Sequence, residues 1–530
     1  MSKKIIKTIF IIASFLILAP AVSADVSGET KLFFADSSYD FSQREVISAT
    51  LQKISSQLYF YIDDTFWRNL SSEERSRAMS SLSYLADEFE RKIYPTLTST
   101  FGSEWKPGID GDNRITVLIH PMKKGAGGYF YSGNEYYRLQ SPKSNEREMV
   151  CLNSDNINSP FLKSLLSHEF LHLITFNQKE RMFGKEEEVW LNEARAEAAI
   201  TLLGYDGEYT GSNLQRRVSE FLNNPSDALL EWYNTGGDYG VANLFIQYLL
   251  DHYGVKILAD SLHSSRKGIE SINYALSQNG FKENFSQIFT DWTITVLVND
   301  CSLGPKYCYK NANLTNLRVV PFSNFLPINS DTTLSVNYFT KNWAGNWQKI
   351  FGGGGILTFE FQGELNGSFK VPYLLCDFFQ KCQVNFLILN QYQMGSITLE
   401  DFNKKYASLI IIPSSQKEFS NGITTILSFA WKVKINSQNS STCSRFGNNL
   451  YYGLRNISEV RCLQEFLKQQ GPTIYPEGLV TGNFLSLTKS AAIRFQEKYA
   501  SEILNPLGLS KGTGYVGSAT RAKINQLLGF

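Results

Sequence analysis

His168-Glu169-Phe170-Leu171-His172 is the stretch whose reading decides this chain. Two histidines four residues apart stand on one face of a helix, so both imidazoles can reach one Zn²⁺. The glutamate between them can address a water held there, which is the chemistry of metal-assisted hydrolysis. The flanking residues predict the helix. Ser159 can cap its start and Pro160 suits the first helical position. Phe161, Leu162, Leu165, Leu166, Leu171 and Ile174 recur with helical spacing. Histidines in so apolar a helix need partners, because an unpaired buried polar group is costly. The competing reading is a helix with two hydrogen-bonded core histidines. The chain has only five histidines, and the pentad takes two of them.

A catalytic zinc usually has three protein ligands and an open position for water. The third candidate is Glu193, in Trp190-Leu191-Asn192-Glu193-Ala194-Arg195-Ala196-Glu197-Ala198-Ala199. The loop before it carries the acidic run Glu186, Glu187 and Glu188. Glu197 follows one turn later on the same face, placed to accept the second N–H of a ligand imidazole. Ala194, Ala196, Ala198 and Ala199 are small enough to let two helices approach closely, and Gly204 is a plausible stop. Alone, Glu193 and Glu197 read equally well as the solvated face of an Ala-rich helix. Beside the pentad they complete a site.

Together, H-E-F-L-H and W-L-N-E-A-R-A-E resemble the gluzincin metallopeptidases, which include the thermolysin and hyicolysin types and the neutral aminopeptidases. The resemblance implies Zn²⁺ held by His168, His172 and Glu193, Glu169 as general base, and Glu197 as support for a ligand histidine. It also implies an electrophile at Tyr239. The segment Asp238 to Leu249, with Gly254 behind it, is similar to the aminopeptidase helix whose opening tyrosine stabilises the oxyanion. The competing reading of Tyr239 is an aromatic packed at a helix start. Gly236 and Gly237 suggest a loop leading into that helix. His252 and His263 are weaker candidates for the same role and read as surface histidines. No G-x-M-E-N segment occurs between Thr116 and Ser167, which argues for an endopeptidase. Residues 114–120, 129–131 and 149–152 read as strands, and one of them would be the edge that pairs with an extended peptide. Gly127-Gly128-Tyr129-Phe130 resembles an element of the hyicolysin-type enzymes.

At 530 residues the chain needs several domains, and a net charge of +1 offers no field for nucleic acid. Lys3, Lys4 and Lys7, the apolar run Ile9 to Leu18 and Val22-Ser23-Ala24 form an export signal cleaved before Asp25. An uncleaved anchor is the alternative. No later segment is apolar enough to span a membrane. Export makes the seven cysteines readable as disulfides. Three local pairs are expected, Cys301 with Cys308, Cys376 with Cys382 and Cys443 with Cys462, leaving Cys151 over.

The expected organisation is multidomain α+β. Residues 1–24 are the signal, 25–305 a gluzincin-type zinc peptidase domain, 306–436 a β-sandwich-like domain, 437–442 a linker, and 443–530 a small all-α domain. Asp25 to about Gly108 shows helical patterns, as an integral subdomain or in part an inhibitory segment. Leu334–Tyr338, Leu357–Phe361 and Ala407–Ile412 alternate as strands do, and Gly352 to Gly355 is a turn.

Three helices are expected at the C-terminus, Val460 to Gln469, Thr488 to Tyr499 and Ala519 to Leu528. The second and third are each preceded by Gly, an aromatic and a short turn, with Thr488 and Thr520 as N-caps. With L-Q-E-F-L and A-A-I-R-F-Q, this resembles the three-helix peptidoglycan-binding domain, although residues 499–512 are a longer insert. The resemblance implies attachment to bacterial cell wall. Its excess of Lys and Arg suits an anionic polymer and equally an ordinary surface. The resulting expectation is a secreted zinc endopeptidase acting on protein or peptide and held at the wall. Its rivals are a peptidoglycan cross-link hydrolase and a wall-binding structural protein with an inactive peptidase domain.

Overall fold

The computed structural model describes residues 24–327, 332–417, 426–436, 443 and 445–530. The expected export signal, up to Ser23, and the linker at 437–442 lie outside the described residues.

The fold is mixed α/β and multidomain. Its first part is a six-stranded sheet of β1 (Thr30–Phe34), β2 (Val46–Ile54), β3 (Leu58–Asp63), β4 (Ile115–His120), β5 (Gly128–Phe130) and β6 (Met149–Asn153), in the order β1-β2-β3-β4-β6-β5. The central strands are buried on both faces, so they alternate between two cores rather than between core and water. Leu58, Phe60, Ile62, Ile115, Val117, Ile119, Val150 and Leu152 face the helical layer. Tyr59, Tyr61, Leu118, Met149 and Cys151 face a smaller core with Phe33 and Ile47.

Three expected strands are present, but the helical reading of residues 25–108 holds only from Asp64 onward. Before it come β1 to β3, half of the sheet that carries the site. All of Leu58-Tyr59-Phe60-Tyr61-Ile62-Asp63 is buried, its side chains divided between two cores, so the run lacks the apolar–polar alternation that marks a half-exposed strand. This segment is therefore built into the sheet.

Across the inner face lie the helices Leu162–Thr175, Val189–Leu202, Gly236–Tyr253 and Phe285–Val298. The pentad helix starts later than expected. Ser159 holds a turn outside it, its Oγ accepting the Phe161 N–H at 3.2 Å, and Pro160 and the exposed Phe161 precede the first helical residue. The Val189–Leu202 helix ends as expected at Gly204, which is left-handed at φ +71°. The Tyr205 N–H returns to the Ile200 carbonyl and the Gly204 N–H to that of Thr201, closing a Schellman motif.

The second part is a sandwich. Strands β7 (Phe322–Leu326), β8 (Thr332–Lys341), β9 (Gln348–Gly352), β10 (Gly355–Gly363), β11 (Phe369–Lys370), β12 (Pro372–Cys376), β13 (Cys382–Phe386), β14 (Met394–Phe402), β15 (Ser408–Ile411), β16 (Ser414–Ser415) and β17 (Ile426–Asn436) follow in order. They form the sheets β14-β10-β17-β8 and β13-β12-β15-β9-β7, with a small β11-β16 ribbon. The glycine turn at 352–355 passes the chain from one sheet to the other. Apolar side chains of both sheets, among them Leu357, Phe359, Trp431, Ile350 and Leu409, close the core between them.

The sandwich also shares a core with the helical layer. Trp343, Trp347, Leu374 and Ile412 pack among helical residues, as do Tyr307, Tyr309, Leu314 and Val319 from the connecting segment. Trp347 Nε1 donates to the Thr293 carbonyl at 2.9 Å.

The C-terminal unit has its own core around helices Ser458–Gln469, Ser486–Lys498 and Ser518–Leu527. Thr488 and Thr520 are not N-caps. Each lies inside its helix, and its hydroxyl accepts a hydrogen bond from a buried amide, Gln464 Nε2 at 2.8 Å and Gln496 Nε2 at 3.0 Å. Each glutamine oxygen in turn accepts two backbone N–H groups, of Thr481 and Gly482 or of Thr513 and Gly514. The sequence repeat is thus a repeated buried glutamine clamp, which accounts for the fixed spacing of glycine and threonine.

Disulfides join Cys301 to Cys308, Cys376 to Cys382 and Cys443 to Cys462, and Cys151 is free and buried on β6. No helix among the described residues is long and apolar enough to cross a membrane.

Candidate metal centre

His168 and His172 lie one turn apart on the Leu162–Thr175 helix, with imidazole centroids 4.9 Å apart. The Val189–Leu202 helix brings Glu193 against both. His168 Nε2 is 3.1 Å from Glu193 Oε2, and His172 Nε2 is 3.7 Å from Glu193 Oε1. One donor atom from each of the three residues lies within 4.8 Å of the others. Two imidazole nitrogens and a carboxylate at that spacing fit a tetrahedral zinc after a small contraction. Among the described residues this is the group that could hold a metal ion.

The close approach of the two helices rests on the expected small residues, since Ala194, Ala196, Ala198 and Ala199 are all buried. The loop between them is pinned from below. Glu187 accepts from Arg195 at 2.8 Å and lies 3.4 Å from Lys179 Nζ, all three being buried.

The surroundings of the imidazoles differ from expectation in one respect. His172 Nδ1 is 3.1 Å from Asn192 Oδ1, so a side-chain amide oxygen takes its second N–H and leaves Nε2 as the lone-pair donor. Glu197 stands 3.6 Å from His168 Nδ1, an ionic neighbour rather than a hydrogen-bond acceptor at this distance. Its oxygens are already engaged. Arg217 Nη2 donates at 2.6 Å, Arg217 Nε at 3.0 Å, Asn213 at 2.7 Å and Asn243 at 2.9 Å. Burial pushes the Glu197 carboxyl up, but Arg217 more than reverses that and holds it at about 2. Burial likewise pulls the His168 imidazole down, and the carboxylates of Glu193, Glu169 and Glu197 carry it up to about 9. The field at His168 therefore favours a cation.

Glu169 lies against the edge of the sheet. It is 5% exposed, and burial, reinforced by the charge of Glu193 and opposed by His168, raises its carboxyl to about 8. Its neighbour on β5 is Gly128. A Cβ there would stand 2.7 Å from the Cys151 carbonyl oxygen and 3.0 Å from Glu169 Oε1. The glycine thus lets the edge strand lie directly against the carboxylate. Of the three candidate strands, β5 is the one at the sheet edge. Phe130 from the same strand stacks on His172, with ring centroids 6.4 Å apart.

Tyr239 lies in the first turn of the Gly236–Tyr253 helix. Gly236 and Gly237 are already helical, behind a capping box of Thr235 and Asp238. The Tyr239 hydroxyl donates to Asn234 Oδ1 at 3.2 Å, Arg217 lies over its ring at 4.2 Å and Trp232 packs edge-on. Burial and the charges of Glu193 and Glu169 raise its phenol. His252 and His263 lie outside the cluster, each bonded to a backbone carbonyl, that of Cys308 at 2.9 Å or of Phe101 at 2.8 Å.

Sequence reasoning missed Asn192, Arg217 and Asn234. Asn192 had a signal, being the neighbour of Glu193 in the N-E pair. Asn234 had none, since it reaches Tyr239 through a turn remote from the pentad.

No family model matches the chain. It is 27% identical over 221 residues to the neutral metalloprotease ShpI of Staphylococcus hyicus, across 37% of this chain and 48% of that protein. The match supports a relationship to metalloproteases. The chain spans about half the length of that curated relative. Among solved structures, Aeromonas hydrophila PliG, a periplasmic inhibitor of g-type lysozyme, aligns with 22% of this chain and 100% of its own at 8% identity and TM-score 0.16. The glucuronidase BtGH115A covers 61% of this chain and 51% of its own at 9% identity and TM-score 0.13. Neither likeness reaches the level at which it bears on the fold.

Proposed function

We propose that this protein is a secreted zinc endopeptidase of gluzincin type, kept near the bacterial cell wall by its C-terminal unit. The observation that carries the reading is the convergence of His168, His172 and Glu193 beside a buried Glu169 that abuts an edge strand. Those three residues would hold a zinc ion, which would supply Lewis-acid activation of water and of the scissile carbonyl. A peptide extended along β5 would hydrogen-bond the free edge of the strand and carry its scissile bond past Glu169. Glu169 takes the proton of the attacking water and passes it to the leaving amine, and its raised pKa suits both transfers near neutral pH. Tyr239 hydrogen-bonds the oxyanion once its hydroxyl leaves Asn234. Glu197, anchored by Arg217, keeps negative charge behind His168.

The test is cleavage of casein by the zinc-loaded chain beside Glu169→Gln, with metal content measured on both. The expected outcome is turnover by the parent and none by the variant at equal zinc content. Equal turnover by both would remove Glu169 from the mechanism. Soluble fragments released from purified peptidoglycan, with casein untouched, would move the substrate to wall cross-links. Failure of the full chain to sediment with wall would remove the attachment role of residues 443–530.

A further inference from the structure

The outer face of the edge strand carries a cavity that no step of the hydrolysis uses. Residues of β5 alternate across the sheet. Phe130 turns toward His172, whereas Tyr129 turns into the smaller core on the other face. Tyr131, still extended at φ −123° and ψ 106°, continues the alternation on the side of Tyr129. The two tyrosines wall a cavity of about 190 Å³, closed from the N-terminal side by the stretch Phe34 to Ser37 and rimmed by Asn134 and Lys143.

The walls are held by their own contacts. The Tyr129 hydroxyl accepts the Asp36 N–H at 3.1 Å, and Tyr39 stacks on the Tyr129 ring with centroids 4.8 Å apart. Asn145 ties the two sides together. Its Oδ1 accepts the Phe34 N–H at 2.8 Å, and its Nδ2 donates to the Phe34 carbonyl at 2.9 Å and to Asn134 Oδ1 at 3.0 Å. Beyond Ser37 the turn is tied to the ends of β3 and β4 by a buried ionic knot. Asp40 accepts from Arg44 Nη2 at 2.7 Å and lies 3.2 Å from His120 Nδ1, and Arg44 reaches on to Asp63 at 2.6 Å.

The strand beside the cavity supplies its occupant. The Gly127 carbonyl accepts the Asn153 N–H at 2.9 Å, and Tyr129 is paired with Cys151 of β6. The N–H and C=O groups of Gly128 and Phe130 therefore turn to the free edge. A peptide extended along that edge presents the residue across from Gly128 to the helical layer, beside Glu169. Its next residue, across from Tyr129, faces the outer side, with its Cβ about 5 Å from that of Tyr129.

Size and chemistry narrow the choice. The cavity is smaller than the roughly 300–1,000 Å³ of a site for a whole small molecule, and it suits one large side chain. Its polar groups are engaged. Lys143 pairs with Glu45 at 2.8 Å, Asp36 Oδ1 accepts the Ser38 N–H at 2.8 Å, and Asn134 Oδ1 accepts from Asn145. What remains open is the ring surface of Phe34, Tyr129 and Tyr131, which rewards an apolar occupant, whereas a charged one would lose hydration without a dedicated partner.

We propose that this cavity is a specificity site. It takes the side chain of the substrate residue across from Tyr129, next to the scissile bond and facing away from the metal, and selects a large aromatic or branched apolar group there. The proposal rests on the peptidase reading above.

The zinc-loaded full chain, Ser37→Trp, which fills the cavity, and Tyr131→Ala, which removes a wall, each digest a mixed peptide library whose cleavage sites are mapped by mass spectrometry. Quenched peptides that differ only in Phe, Ala, Lys or Glu at the selected position then give kcat/KM ratios. Expected for the parent is a preference for Phe over Ala of roughly 10- to 100-fold, the scale of discrimination by an apolar pocket, at one position adjoining the cleaved bond. Both variants should bring that ratio close to one, with zinc content and thermal midpoint near parental values. A parent without selection beside the bond would overturn the proposal, as would one that selects Lys or Glu there. An apolar preference that survives in both variants would place the selection on the metal face and overturn it too. Each of those outcomes leaves the peptidase reading standing, whereas a zinc-loaded parent that cleaves nothing in the library would overturn both.

Discussion

Replacing Glu197 with Gln keeps the shape of the side chain and removes its charge, and the structure sets the size of the effect. Glu197 accepts four hydrogen bonds, two of them from the buried Arg217. The amide of glutamine would turn an N–H₂ toward those donors and leave Arg217 with Glu220, at 2.9 Å, as its remaining carboxylate. Breaking a buried ion pair from one side costs about 3–5 kcal/mol, and Glu220 holds the figure to the lower end. The carboxyl's own titration gives the same scale. Its fall from 4.5 to about 2 on folding is worth roughly 3 kcal/mol. A carboxyl depressed by folding adds its full stability above the unfolded value and loses it as pH falls toward the folded one. The loss caused by Glu197→Gln should therefore be constant from about pH 5 upward and shrink at more acid pH. Zinc affinity should fall about 10- to 100-fold, the range for loss of an outer partner of a ligand histidine. Urea unfolding at several pH values and zinc competition against a chromophoric chelator measure the two effects. A stability loss under about 1 kcal/mol together with parental zinc affinity would refute the reasoning for Arg217 and for His168 alike.

Gly128→Ala should reduce activity and cost about 1–3 kcal/mol, because the new methyl meets the fixed Cys151 carbonyl as well as the Glu169 carboxylate. Parental kcat/KM and an unshifted unfolding midpoint would show that β5 does not lie against Glu169. Glu135 and Glu148 are buried carboxyls near Asp110; burial raises both, and their interaction pushes Glu135 further up while opposing the rise of Glu148, which reaches about 7. Carboxyls raised by folding stabilise at low pH, so the parent should lose on the order of 3 kcal/mol between about pH 4.5 and 7, and Glu135→Gln should flatten that slope in pH-dependent unfolding. An unchanged slope would place the shared proton elsewhere. Gln496→Leu removes four hydrogen bonds from the buried clamp of the C-terminal unit. It should unfold that unit about 3 kcal/mol more easily while leaving zinc content and casein cleavage intact, and a change in cleavage would reveal coupling between the two ends of the chain.

The sequence was legible where the chemistry is local. The pentad needs only the helical repeat to bring two imidazoles together, and Glu193 follows in the next helix after a short loop. The three disulfides join near neighbours. The alternating strands of the sandwich show their period because one face of each meets a core and the other meets water. Legibility failed where a residue's role depends on what lies across from it. Strand β3 is buried on both faces, so alternation of apolar with polar is absent and Leu58 to Ile62 shows no strand signature. Thr488 and Thr520 resemble caps, yet the decisive partner of each is a glutamine one helix earlier. The ionic knot of Asp40, Arg44, Asp63 and His120 has no local signal at all, because its members meet only in the fold.

The same holds for the sandwich, which from sequence alone could be a spacer or a partner-binding unit. Its β8 end reaches into the helical part. Lys341 pairs with Asp227 at 3.2 Å and Glu231 at 3.0 Å, and the Trp343 carbonyl accepts the Leu229 N–H at 3.0 Å. Trp343 itself is buried against Phe285 and Phe289, with ring centroids 5.1 and 5.3 Å away. Residues 227 to 231 open the stretch that carries Trp232, Asn234 and Tyr239. The site is therefore held from two directions, its candidate ligands by the helical layer and the run that leads to Tyr239 by the sandwich. Precise placement of a hydrogen-bond donor depends on the rigidity of what lies behind it. In this chain that rigidity comes in part from a segment about a hundred residues further along the sequence, which is why the candidate metal ligands and Tyr239 can be read from their own segments and the support behind Tyr239 cannot.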